Sequence, residues 1–117
     1  FAVESAASSV RDLRRNMEGI DGEIEVIGGD SARELPTLGH LDALVVDPPR
    51  AGLAKGVTES IAASKAGRVA YVSCDPATWA RDIARFNEAG YELVRATPVD
   101  LFPQTFHVET VSILKRK

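Results

Sequence analysis

Apolar positions along the chain switch between a helical and a strand period, and the switches mark out its elements. The chain opens on a short apolar run, Phe1 to Val3, that stops at Glu4. From Ser5 to Met17 apolar residues recur at Ala6, Val10, Leu13 and Met17, the stripe of one helix face, with Arg11, Arg14 and Arg15 off it. Gly19 and Gly22 end that segment. Glu23 to Ile27 alternates polar and apolar residues and predicts a strand, closing at Gly28-Gly29-Asp30. Ser31 to Leu35 predicts one helical turn, stopped by Pro36. Leu41 to Val46 predicts a buried strand. It must end at Asp47-Pro48-Pro49-Arg50, because consecutive prolines cannot donate to a sheet ladder. Ala51-Gly52-Leu53 continues that loop. A helix over Val57 to Ser64 and a second buried strand over Arg68 to Ser73 follow. Asp75 can cap the next helix with Pro76 at its first position, and Gly90 stops it after about Ala89. Tyr91 to Val99 and Phe106 to Leu114 read as the last two strands, joined through Leu101-Phe102-Pro103-Gln104-Thr105.

Strands that alternate with helices imply an α/β fold, a mostly parallel sheet with helices on both faces. The close-set final pair is most simply antiparallel. No internal repeat or linker interrupts the pattern, so residues 1–117 read as one domain.

Charge and composition narrow the function classes. Fourteen Lys and Arg against seventeen Asp and Glu leave a net charge of −3. A nucleic-acid-binding domain usually carries a basic surplus, so phosphate binding, if there is any, must lie mostly elsewhere. The single Cys excludes an internal disulfide and a multi-Cys metal site. No apolar run approaches the roughly 20 residues that span a bilayer, and the first residues are not a secretory signal. The expectation is a cytoplasmic protein with no membrane partner. The chain begins without Met, inside an apolar run, as a piece of something longer would.

In open α/β sheets ligands bind beyond the carboxyl ends of the strands. Glu4, Asp30, Asp47 and Asp75 fall there, and so does Cys74. An acid after the second strand of a nucleotide-binding sheet takes ribose hydroxyls, which suits Glu4. Asp30 could reach the base end of the same ligand. Each acid equally suits a plainer role, capping the helix that follows. The double proline of Asp47-Pro48-Pro49-Arg50 makes a rigid wall able to hold a flat base or an amine, with Asp47 at its rim. Cys74 directly precedes a helix start, a setting that favours a thiolate nucleophile, although a lone Cys is usually an inert small hydrophobe. Strand alternation would place His107 and Glu109 on one face, where Glu109 could serve as a general base. An exposed polar strand edge is the plainer reading.

Three stretches, in this order, resemble the catalytic part of the S-adenosylmethionine-dependent RNA (uracil-5-)-methyltransferases. They are Asp47-Pro48-Pro49-Arg50-Ala51-Gly52-Leu53, then Tyr71-Val72-Ser73-Cys74-Asp75-Pro76-Ala77-Thr78 with Ala80-Arg81-Asp82, then Asp100-Leu101-Phe102-Pro103-Gln104-Thr105 with His107-Val108-Glu109-Thr110. The resemblance implies a Rossmann-like methyltransferase sheet and S-adenosyl-L-methionine as cofactor. It implies Cys74 as the nucleophile and Glu109 as the proton-abstracting base. Glu4 and Asp30 would contact the cofactor. Asp47 would line the site beside its methyl end, and Asp47 and Arg50 would meet the substrate base. The substrate implied is a uridine in tRNA or ribosomal RNA, bound through a longer parent protein. No metal is implied.

The chemistry asks for these residue types. C5 of uracil is too weak a nucleophile to take a methyl group unaided. A thiolate adding to C6 makes C5 enolate-like, and a base must later remove the C5 proton. The target base must also leave its stack to reach the thiolate. Two departures stand out. Asp75 occupies a position where the family usually has Asn, and either side chain caps a helix. The family's first strand and Gly-rich turn would lie upstream of Phe1, between the strand ending at Glu4 and the one ending at Asp47. Without them, those two strands are expected either to close on each other or to be bridged by a second copy in a homodimer. Cofactor affinity and activity of the chain alone are expected to be weak or absent. An amino-group methyltransferase of the Asp-Pro-Pro type, which needs no thiol, and a non-catalytic folding or interaction unit are the competing readings.

Overall fold

A computed structural model describes all 117 residues. In chain order the elements are β1 (Ala2–Glu4), α1 (Ala7–Met17), β2 (Val26–Gly28), α2 (Ser31–Glu34) running into a 3-10 turn (Leu35–Thr37), β3 (Ala43–Val46), α3 (Val57–Ala63), β4 (Arg68–Ser73), α4 (Pro76–Glu88), β5 (Tyr91–Val99) and β6 (Glu109–Arg116). This is the alternation expected from the pattern, with several boundaries moved. β2 forms only at the end of the alternating Glu23–Ile27 stretch. β3 starts at Ala43 rather than Leu41. β6 starts at Glu109, not Phe106, because residues 101–106 are bends and turns.

The strands form two sheets. β1 and β2 pair in parallel, and the other four follow the order β3-β4-β6-β5. β3 and β4 are parallel, while β6 runs antiparallel to both β4 and β5, so β6 is the one reversed strand of its sheet. The expectation that β1 and β3 would close on each other is not met. No hydrogen bond joins them; their facing edges border a cavity instead. Val45 of β3 is 74% exposed, so one face of that strand also lacks cover.

The core lies under the four-stranded sheet. Tyr71, Phe86, Tyr91, Ile61, Val69 and Leu114 are almost wholly buried. Phe86 on α4 sits between two tyrosine rings, 5.8 Å from Tyr71 and 5.9 Å from Tyr91 between centroids. Such tilted and edge-on pairs add to the area each ring buries. Phe86→Ala is therefore expected to cost about 3–5 kcal/mol, seen in urea unfolding as a lower midpoint with an unchanged slope. The Tyr91 hydroxyl donates to the Ala66 carbonyl at 2.8 Å, and burial pushes its phenol above the ordinary value. No helix is long and apolar enough to cross a membrane.

Candidate active site

The residues singled out from the sequence gather at one end of the two sheets. Glu4 ends β1, and Asp30 follows β2 by two residues. The pairing of β1 with β2, Glu4 opposite Gly28, sets them side by side, and the Gly29 N–H donates to the Glu4 carbonyl at 3.0 Å. Asp30 also performs its plainer task, whereas Glu4 does not cap α1, whose N-cap is Ala6 with no side-chain cap. A Glu4 carboxylate oxygen accepts from the Ala6 N–H at 2.8 Å, and Asp30 Oδ1 accepts from the Ala32 N–H at 2.9 Å as the N-cap of α2. Each of these contacts uses one carboxylate oxygen.

Glu4, Asp30, Asp47, Pro48 and Pro49 all line one cavity of about 770 Å³ between the two sheets. Its apolar wall includes Leu44 and Val46 of β3. That volume lies in the usual range for small-molecule sites, roughly 300–1,000 Å³. Two carboxylates beside an apolar wall suit a ligand with a hydroxylated sugar and a flat base.

Cys74, Arg50 and Glu109 are not part of that cavity lining; strand register places Cys74 and Glu109 at the same end of the β4–β6 ladder, Cys74 one residue past β4 and Glu109 at the start of β6. The β4–β6 ladder ends at Ser73 opposite Thr110, and the next residue on each strand is Cys74 and Glu109 respectively. β3 runs parallel to β4, with Val46 opposite Tyr71, so Asp47 leaves the sheet at this same end. Cys74 is half-buried and lies just before the N-cap of α4. The N-cap is Asp75, whose Oδ1 accepts from the Thr78 N–H at 2.9 Å, with Pro76 opening the helix as expected. That backbone hydrogen bond holds the Asp75 carboxyl below its ordinary value.

His107 is a correction. It precedes β6 instead of sharing a strand face with Glu109. Arg50 Nη2 donates to His107 Nε2 at 3.3 Å, and the Phe102 ring meets the imidazole edge-on at 6.3 Å. Arg50 is thereby turned toward the segment that carries Glu109. Sequence spacing held no sign of this contact, since the two residues lie 57 positions apart.

The family model for tRNA (uracil-5-)-methyltransferases matches residues 37–117. The chain belongs to that family. The match takes in the Asp47 loop, Cys74 and Glu109. An uncharacterized RNA methyltransferase of Clostridium acetobutylicum is 40% identical over 122 aligned positions, covering 99% of this chain and 26% of the relative. A second, from Caldanaerobacter subterraneus subsp. tengcongensis, is 37% identical and covers 99% and 27%. Among solved structures, the tRNA (uracil-54, C5)-methyltransferase of Pyrococcus abyssi, in complex with S-adenosyl-L-homocysteine, superimposes with a TM-score of 0.80 at 37% identity. It covers 96% of this chain and 27% of that one. The precorrin-6Y C5,15-methyltransferase of Geobacter metallireducens shares the fold alone, with a TM-score of 0.71 at 14% identity. The chain thus spans about a quarter of the length of these RNA methyltransferase relatives.

One residue that the motif match includes is given no role from the sequence. Asp82 is wholly buried, yet it lies between Trp79, Ile83 and Phe86 on the inward face of α4. An acid in the middle of an apolar helical stripe is the signal that could have found it.

Proposed function

We propose that this chain is the catalytic part of an RNA methyltransferase that moves a methyl group from S-adenosylmethionine to C5 of a uridine in tRNA or ribosomal RNA. The observation that carries this reading is the β4–β6 register, which ends at Ser73 opposite Thr110 and so leads Cys74 and Glu109 out at one end of the ladder, the sheet end where Asp47 and the cavity lie.

The cavity fits the cofactor by its donor set. Glu4 and Asp30 would take the ribose hydroxyls and the base end, the β3 wall would pack the adenine, and Asp47 would lie toward the methyl end. Bound there, S-adenosylmethionine supplies an electrophilic methyl group on a sulfonium. The Cys74 thiolate adds to C6 of the uracil ring, pushing electron density to C5. After C5 is methylated, Glu109 takes the C5 proton, and the C6–sulfur bond breaks to restore the double bond and free the thiolate. Arg50, directed toward this region by His107, contacts the flipped base.

RNA binding draws on residues beyond this chain. Its net charge is −3, and its relatives are about four times as long. The activity is therefore assigned to the full-length protein, and the chain alone is expected to be inactive.

Tritium release tests the reading. Full-length protein given cofactor and RNA labelled with [5-³H]uridine should release tritium in step with methyl transfer. Running tRNA and ribosomal RNA transcripts side by side identifies the substrate. Methyl transfer without tritium release would replace this reading with the amino-group alternative.

A further inference from the structure

The loop Asp47–Leu53 cannot join a sheet, because Pro48 and Pro49 have no N–H to donate. Helix α4 holds it instead. The Thr78 hydroxyl donates to the Arg50 carbonyl at 3.0 Å, and Arg81 Nη2 to the Ala51 carbonyl at 2.8 Å. The Leu53 N–H donates to Asp82 Oδ2 at 2.8 Å, and Arg85 Nη1 to the Leu53 carbonyl at 3.4 Å. Thr78, Arg81, Asp82 and Arg85 are spaced three, one and three residues apart, so they form one face of the helix.

Asp82 is the centre of this face. It is wholly buried and fully satisfied. Its Oδ2 accepts from the Leu53 N–H and from the Tyr71 hydroxyl, each at 2.8 Å. Its Oδ1 accepts from Arg81 at 2.9 Å and from Arg85 at 3.3 Å. Gly52 lets the loop come this close. Its φ is +77°, and a Cβ there would overlap both the Asp82 carboxylate and the Arg81 guanidinium. Burial, and then the hydrogen bond to Asp82, raise the Tyr71 phenol well above its ordinary value, so it stays a donor. The same helix begins one residue after Asp75, next to Cys74, and its Trp79 Nε1 donates to the buried Ser112 Oγ of β6 at 2.7 Å.

We infer that Asp82, acting with Arg81, is a positioning residue for methyl transfer: it locks the Asp47–Leu53 loop, and Arg50 on it, to the helix that follows Cys74. This rests on the function proposed above. Burying a carboxylate is costly unless every lone pair is used. Here it fixes a loop that otherwise has few partners for its backbone. A loop free to shift by an ångström would leave Arg50 misplaced against a base held on Cys74, and errors of that size cost up to about a hundredfold in rate.

The test compares full-length wild type with Arg81→Met, Asp82→Asn, Arg50→Ala and the Arg50→Ala/Arg81→Met double variant. Arg81 is partly exposed, so Arg81→Met keeps the core and folds even where Asp82→Asn does not. Arg81→Met is expected to lower kcat about tenfold, with KM for S-adenosylmethionine changed by less than about twofold. Asp82→Asn turns an NH₂ toward two guanidinium groups and is expected to lose more. In the Arg50→Ala background, Arg81→Met should cost less than about twofold, because both act through one loop. Wild-type kcat in Arg81→Met, or losses that simply multiply, would overturn the inference while leaving the methyltransferase reading in place. An inactive wild-type protein would overturn both.

Discussion

Cys74→Ala is expected to abolish methyl transfer by the full-length protein, by about four orders of magnitude or more, while leaving the fold intact. The side chain is small and half-buried at the end of β4, outside the buried core. Its loss removes little packing. It does remove the only thiol in the chain, and with it the group proposed to make C5 of the uracil nucleophilic. RNA carrying 5-fluorouridine gives the complementary result. Fluorine at C5 cannot leave as a proton, so the wild-type protein with cofactor should form a covalent complex that survives a denaturing gel. The Cys74→Ala protein should form none. Substantial turnover by Cys74→Ala would remove the covalent mechanism.

Glu109→Gln separates the second half of the reaction from the first. The amide keeps the shape of the carboxylate at the first position of β6, opposite Val99 on β5, and takes away its ability to accept a proton. Addition of Cys74 and methylation should proceed, and elimination should slow by about 10²–10⁴-fold. Ordinary uridine RNA would then accumulate as a methylated covalent adduct, visible without fluorouridine. If product is released at the wild-type rate, the base is another group. His107, beside Arg50 at the entry to β6, or a water would be the next candidates.

Much of this protein is set by its sequence alone. The alternation of period fixes the element order, because helices and strands must each bury an apolar face of the right spacing. Tyr91–Val99 and Arg68–Ser73 form as strands over the predicted residues, and Asp75-Pro76 starts α4, because capping and proline geometry act within a few residues. Asp47, Cys74 and Glu109 stand out as candidates because each belongs to a contiguous run tied to a strand end; the roles proposed for them come from the family resemblance.

The tertiary structure decided what depends on distant partners. Strand order is one such feature. β6 inserts between β4 and β5, and that register brings Cys74 and Glu109 to the same end of the β4–β6 ladder. The separation of the two sheets is another. The apolar pattern of β1 and β3 shows that both want a neighbour, but not that they fail to take each other. Asp82 is the clearest case. Arg81 and Arg85 are its neighbours on α4, but the Leu53 N–H comes from the loop after β3 and the Tyr71 hydroxyl from β4. A local reading of helix α4 sees only an acid between two arginines on an apolar face. Whether that acid is a fault or a clamp depends on which hydrogen-bond donors the fold delivers to it, and no spacing along the chain records that.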